Sequence, residues 1–134
     1  MSEVSLANQK KVCAVLGAGS WGTALSLLLA KNGYIVRLWD RSAAQVNAIN
    51  EAYENRRYLP GIPLPPTISP TAGLQSAVEG VAAVVIAVPS TAVRSVLSDV
   101  VSHLAPDTDL VLAAKGMEAE TGQLPSEVVS SLVV

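Results

Sequence analysis

A five-residue apolar run, Val12-Cys13-Ala14-Val15-Leu16, ends abruptly in Gly17-Ala18-Gly19-Ser20-Trp21-Gly22, and this G-x-G-x-x-G turn constrains the chain more than any other feature. The length and Val content of the run favour a strand buried on both faces. Ser20 stands where a helix N-cap is wanted, and Trp21 to Lys31 reads as a helix of good formers ended by Asn32-Gly33. Strand, glycine turn and helix in succession are the context that gives the motif meaning. Gly17 allows the tight turn, Gly19 lets backbone approach a pyrophosphate, and Gly22 lets the helix pack hard on the sheet. The helix N-terminus adds free N–H groups and a partial positive charge. Three glycines in an ordinary turn are the bland alternative, and the flanking elements argue against it.

The remaining pattern continues the alternation. Tyr34 to Trp39 reads as a second strand closed by Asp40-Arg41-Ser42, and Ala43 to Tyr53 as a helix with Val46, Ile49 and Tyr53 at helical spacing. The stretch from Asn55 to Pro66 holds four prolines and is neither regular helix nor central strand. Tyr58, Leu59, Ile62 and Leu64 make it apolar enough to pack, so an ordered loop is expected. A brief strand around Thr67 to Ser69 and a short helix near Leu74 to Val78 follow. Val81 to Val88 is the clearest strand, stopped by Pro89-Ser90. Thr91 to Leu104 is an amphipathic helix, with Val93, Val96, Leu97, Val100, Val101 and Leu104 on one face. Asp109 to Ala114 is a further strand cut off by Lys115-Gly116, and a last helical pattern begins near Ser126. Such alternation predicts an α/β fold, a doubly wound, mostly parallel sheet of the Rossmann kind. Sheets of that type usually carry about six strands. Only four or five can be placed here, so the chain reads as cut short.

Composition narrows the function classes. Half of the 134 residues are hydrophobic and 15% are charged, which suits a folded domain rather than a disordered one. A net charge of −2 gives no footprint for nucleic acid. No apolar run approaches the ~20 residues that span a bilayer, and the polar start MSEVSLANQK is unlike a signal peptide. One cysteine, Cys13, leaves neither an internal disulfide nor a cysteine-based zinc site, in keeping with a reducing, cytoplasmic setting. No metal-ligand cluster, paired carboxylates or G-x-S-x-G nucleophile elbow is present.

Candidate binding residues gather at predicted strand ends. Asp40 lies 23 residues after Gly17, where a carboxylate would meet ribose hydroxyls. Arg41 follows at once and could instead pair with the 2′-phosphate of NADP; a plain surface Asp-Arg pair is the third reading. NAD and NADP therefore both stand. Val88-Pro89-Ser90 and Ala114-Lys115-Gly116 fall at carboxyl ends of strands, the edge where open parallel sheets bind ligands. From position alone, Lys115 reaches an anionic substrate or the nicotinamide end, or is a solvated loop lysine. His103 falls on the polar helix face beside Ser102 and Asp99, where a surface role fits best. Cys13 behaves as a small buried group. Trp21 and Trp39 flank the expected cleft, Trp39 for packing.

The strings Gly17-Ala18-Gly19-Ser20-Trp21-Gly22-Thr23-Ala24-Leu25, Leu38-Trp39-Asp40-Arg41, Asn55-Arg56-Arg57-Tyr58-Leu59-Pro60-Gly61, Val88-Pro89-Ser90 and Lys115-Gly116-Met117-Glu118 with Thr121-Gly122 resemble, in order, the bacterial-type NAD(P)-dependent glycerol-3-phosphate dehydrogenases. The resemblance implies reversible hydride transfer between NAD(P)H and dihydroxyacetone phosphate, giving sn-glycerol 3-phosphate for glycerophospholipid synthesis in the cytoplasm. By position it implies cofactor contacts from Gly17, Gly19, Ser20, Trp21, Gly22, Arg41, Ser42, Tyr58 and Lys115, with Lys115 also touching the phosphate substrate. A homodimer is compatible with it. Residues 1–134 then form the N-terminal NAD(P)-binding domain. The helical C-terminal substrate domain, with the main acid–base lysine, is not in this sequence. No catalytic residue is expected in this chain, because reducing a ketone needs a proton donor poised on the carbonyl oxygen. Two other readings are another two-domain reductase of the 6-phosphogluconate or ketopantoate type, and a non-catalytic nucleotide-sensing module.

Overall fold

The apolar run opens the structure as β1 (Val12–Leu16), the central strand of a five-stranded parallel sheet. The computed structural model describes residues 11–113. After β1 come α1 (Ser20–Lys31), β2 (Ile35–Trp39), α2 (Ala43–Ala52), β3 (Ile68–Thr71), α3 (Leu74–Val78), β4 (Ala83–Ile86), α4 (Val93–Val100) and β5 (Asp109–Leu112). The spatial order is β3-β2-β1-β4-β5. The chain thus builds outward from β1 to one side, then returns to β1 and builds out on the other.

Register lines up the strand ends. Leu16 pairs with Trp39 on one side and Ile86 on the other, Trp39 pairs with Thr71, and Ile86 with Leu112. Gly17, Asp40, Ala87 and Ala113 therefore leave the sheet in one row, at its carboxyl edge.

Alternation along the strands feeds two cores, one per face. Ala14, Leu16, Val84 and Ile86 pack with α3 and α4 through Ala77, Val78, Val93, Val96, Leu97 and Val100. Val15, Val36, Leu38, Ile68 and Val85 pack with Ile49 of α2 and with partly buried Leu25 and Leu29 of α1. Leu16 and Leu38 are fully buried, each contributing about 2 kcal/mol of apolar transfer. The doubly wound prediction holds, both faces being covered. Pro70 sits in β3, an edge strand, where its missing N–H costs no ladder bond to a further neighbour.

Several expected boundaries shift. The helix begins at Ser20 itself, so Ser20 is not the N-cap; Gly19 is, in extended conformation and with no side-chain cap. The turn needs that extended step to bring α1 over Gly17. The clear strand contracts to Ala83–Ile86: Val81 and Val88 are apolar because the α3–α4 core buries them, not because they join the ladder. The single helix expected over Thr91 to Leu104 is three pieces, a 3-10 turn at Ser90–Ala92, α4, and a second 3-10 turn at Val101–His103. Of the six positions the spacing predicted, Val93, Val96, Leu97 and Val100 are buried, while Val101 and Leu104 are half-buried. The adjacent β-branched Val100 and Val101 disfavour a further α-turn, and the chain tightens instead.

The proline-rich loop is ordered as expected, but differently packed. Only Leu64 of its four apolar candidates is buried, while Tyr58 and Ile62 are exposed. Hydrogen bonds hold the loop instead: Glu54 pairs antiparallel with Pro63, the Leu64 N–H donates to Tyr53 O at 2.7 Å, and the Gly61 N–H donates to the Glu54 side chain at Oε2, 2.9 Å away. The helix near Ser126 and the end of the last strand at Ala114 lie outside the described residues.

Candidate functional site

The row of residues leaving the carboxyl edge opens into a cleft of about 1000 Å³. Gly17, Ala18 and Gly19 form its floor where β1 ends; Ala87, Val88 and Pro89 flank it where β4 ends. This is the switch point, where the chain turns from building one side of the sheet to building the other. Open α/β sheets bind ligands in that crevice.

Each glycine of the turn has a distinct geometry. Gly17 has φ +117°, and a Cβ there would lie 2.8 Å from the Ala87 carbonyl and 2.9 Å from Val88 N. Both the backbone angle and the crossing of β4 exclude a side chain. Gly22 is buried, and a Cβ on it would overlap the Gly17 carbonyl oxygen. It does not line the cleft; it lets α1 start directly on the turn. Gly19 is the opposite case, since a Cβ there would meet no heavy atom within 4 Å. That open side faces the cleft, whose lining includes Gly19. An uncapped helix start leaves its first N–H groups without intrahelical acceptors. Thr23 and Ser26, small and buried, bring α1 close to the sheet, and the Ser26 hydroxyl donates back to Gly22 O at 2.8 Å.

Asp40 is held by the backbone it faces. Its Oδ1 accepts from Ala18 N–H at 3.3 Å and its Oδ2 from Ser42 N–H at 3.0 Å. The carboxylate thereby ties the end of β2 to the glycine turn and retains lone pairs for a further donor. Arg41 is exposed on the cleft wall. Ser42 lines the same wall and caps α2, its Oγ accepting from Gln45 N–H at 3.2 Å. Tyr58 lines the cleft from the proline-rich loop, with the Arg57 guanidinium 5.1 Å from its ring centroid. Ser20 and Trp21 line the cleft at the start of α1, Trp21 being 55% exposed. Trp39 lines it too but is buried, and its indole N–H donates to Ala72 O at 3.1 Å, which fits a packing role.

The structure thus brings Gly17, Gly19, Ser20, Trp21, Arg41, Ser42 and Tyr58 to one cleft. Val88, Pro89 and Ser90 join them; Lys115 lies outside the described residues. His103 is exposed on the second 3-10 turn, away from the cleft lining. Cys13 is buried in β1, and burial pushes its thiol pKa above the ordinary value, opposite to what a nucleophile needs. Among the described residues no group of His, Cys, Asp and Glu could hold a metal ion, and no helix is long and apolar enough to cross a membrane.

Two residues escaped the sequence reading. Arg57 lines the cleft beside Tyr58, hidden in sequence by its twin Arg56, which faces Glu54 at 3.8 Å instead. Asn55 is fully buried and hydrogen-bonded to three other segments. Its signal was faint: an amide at the mouth of a proline-rich loop reads as turn chemistry.

Comparison with known proteins agrees with this geometry. The family model for the NAD-dependent glycerol-3-phosphate dehydrogenase N-terminus matches residues 12–133. A glycerol-3-phosphate dehydrogenase (NAD(P)+) of Geobacillus kaustophilus is 51% identical over 117 residues, 87% of this chain and 34% of the relative. One from Anaeromyxobacter dehalogenans is 48% identical over 119 residues, 89% of this chain and 36% of the relative. The chain spans about a third of the length of these curated relatives. Among solved structures, the glycerol-3-phosphate dehydrogenase of Coxiella burnetii superposes with a TM-score of 0.87 at 37% identity, covering 92% of this chain and 38% of that one.

Proposed function

The chain belongs to the NAD-dependent glycerol-3-phosphate dehydrogenase family, matching its N-terminal part, and from that premise we propose that it is the nucleotide-binding domain of an enzyme interconverting dihydroxyacetone phosphate and sn-glycerol 3-phosphate. The observation that carries the reading is the open side of Gly19 beside an uncapped helix start, on the cleft where β1 and β4 diverge. That arrangement fits a pyrophosphate, which needs close backbone approach and unpaired N–H donors. When bound, a reduced nicotinamide supplies the hydride for the substrate carbonyl.

The residues divide the work. Gly17, Gly19, Ser20 and Trp21 hold the pyrophosphate end, with Gly22 acting through the packing of α1. Arg41 and Ser42 stand on the wall leading from Asp40, where the adenosine ribose belongs. Arg41, a planar cation at that wall, accepts a 2′-phosphate, so NADPH binds alongside NADH. Tyr58 and its loop add to the rim. Lys115 meets both cofactor and substrate phosphate. No lysine or histidine lines the cleft among the described residues, and the proton donor for the carbonyl oxygen comes from a C-terminal substrate domain. The whole enzyme works in the cytoplasm as a homodimer and feeds glycerophospholipid synthesis.

Fluorescence titration of this 134-residue chain with NADH and NADPH tests the reading, alongside an assay of dihydroxyacetone phosphate reduction. Both nucleotides are expected to bind, with no turnover. Arg41→Ala weakens NADPH binding about tenfold or more, the worth of a charge-assisted hydrogen bond, and leaves NADH nearly unchanged. Equal losses for both nucleotides would return Arg41 to a general role. Turnover by the chain would show that it holds its own proton donor.

A further inference from the structure

Asn55 has no place in the site just described, since it does not line the cleft. Yet it is 0% exposed, an uncommon position for an amide side chain. All four of its hydrogen-bonding positions are used. Its Nδ2 donates to Ala18 O at 2.9 Å and to Thr23 Oγ1 at 2.8 Å. Its Oδ1 accepts from Gln45 Nε2 at 2.9 Å and from Tyr58 N–H at 3.2 Å. Two of those partners fix the orientation of the amide: the Ala18 carbonyl can only accept and the Tyr58 N–H can only donate.

The four partners belong to four segments: the glycine turn, α1, α2 and the proline-rich loop. Ala18, the residue between the first two glycines of the turn, is consequently clamped through both its backbone groups, its N–H donating to Asp40 and its carbonyl accepting from Asn55. Through the same amide the turn is joined to the backbone of Tyr58, a residue that also lines the cleft. We propose that Asn55 is a positioning residue for the nucleotide, locking the glycine turn and the Tyr58 loop into one cradle before the nucleotide arrives. This rests on the nucleotide-binding reading above. Isosteric replacements do not serve the same four partners: a carboxylate would set oxygen against the Ala18 carbonyl, and an aliphatic group would strand every one of them.

The test measures NADH and NADPH affinity and thermal unfolding of this chain in the wild type, Asn55→Ala, Tyr58→Ala and the double variant. Asn55→Ala weakens both nucleotides alike, by about tenfold, because it loosens the shared turn rather than a 2′-phosphate contact. In the Tyr58→Ala background the same change costs clearly less, the mark of two residues acting through one loop. A purely structural role would lower the melting temperature and leave the affinity of the folded chain intact. Thr23→Val covers the case in which Asn55→Ala does not fold. It keeps the volume, removes one acceptor of the amide, lies off the cleft lining, and weakens both nucleotides by about threefold. Unchanged affinity in whichever of these variants folds, or strictly additive losses, overturns the inference while the wild type still binds. A wild type that binds neither nucleotide overturns the functional reading, and this inference with it.

Discussion

A methyl group added at Gly22 has nowhere to go, since it would overlap the Gly17 carbonyl oxygen and lie 3.3 Å from Ala87 Cβ. Both neighbours are held: Gly17 N–H donates to Trp39 O at 2.8 Å and Ala87 N–H to Leu16 O at 2.8 Å. Relief requires lifting the start of α1 off the turn, and Gly22→Ala is expected to cost about 3 kcal/mol in urea unfolding. At Gly19 the same methyl enters open space. Gly19→Ala is expected to stay within about 1 kcal/mol of the wild type, the range for an N-cap change. Its nucleotide affinity, however, is expected to fall steeply, because the methyl would fill the volume proposed for the pyrophosphate. A Gly22→Ala chain as stable as the wild type would show that α1 can move. Unimpaired binding by Gly19→Ala would place the phosphates elsewhere. The two glycines look alike in the motif and differ only in which side of the turn they face.

Among the elements, α2 shows how a site residue can also be a structural one. Ser42 caps this helix through Gln45 N–H while lining the cleft. Ser42→Ala is expected to lose about 1 kcal/mol of stability from the cap alone. Its effect on NADPH affinity should be smaller than that of Arg41→Ala, because the serine oxygen is already engaged with the helix. A large affinity loss with no change in stability would reverse these roles. The elements themselves were largely legible in sequence, because their signals are local. The short helix α3, Leu74–Val78, lies where a short helix was expected. The buried stripe of α4 follows from its 3.6-residue period. What could not be read depended on contacts between distant segments. Val81 and Val88 look like ladder residues until the α3–α4 core is seen to bury them. Tyr58 and Ile62 look like anchors of their loop, whereas the Glu54–Pro63 bridge and Asn55 hold it. The glycine turn was legible where a motif fixed it: Gly17 and Gly19 line the cleft, while Gly22 lies off it and packs α1 against the turn. The site was not legible at Arg57, whose orientation depends on the loop's tertiary path.

For the whole molecule, a ligand bound at the switch point, as proposed, would touch both halves of the sheet. The cleft is lined from β1 and β2 on one side and from β4 and α4 on the other. The strand ends that meet it, Trp39, Leu16 and Ile86, pack in a single core together. Local opening around the ligand would therefore disturb the core, and binding should report on global unfolding. Nucleotide held at a hundred times its dissociation constant stabilises the native state by about 2.7 kcal/mol when the unfolded chain does not bind. For a domain of this size, with roughly 4 °C of melting temperature per kcal/mol, NADPH is expected to raise the transition by about 10 °C. Gly19→Ala supplies the control, because its melting temperature without ligand should match the wild type within a few degrees. It should then fail to rise when the same NADPH concentration is added. A rise in both chains would mean that the nucleotide does not use the open side of Gly19. A wild type that binds by fluorescence yet melts unchanged would mean that the cleft opens without unfolding the sheet, and that the two halves are not coupled through the core.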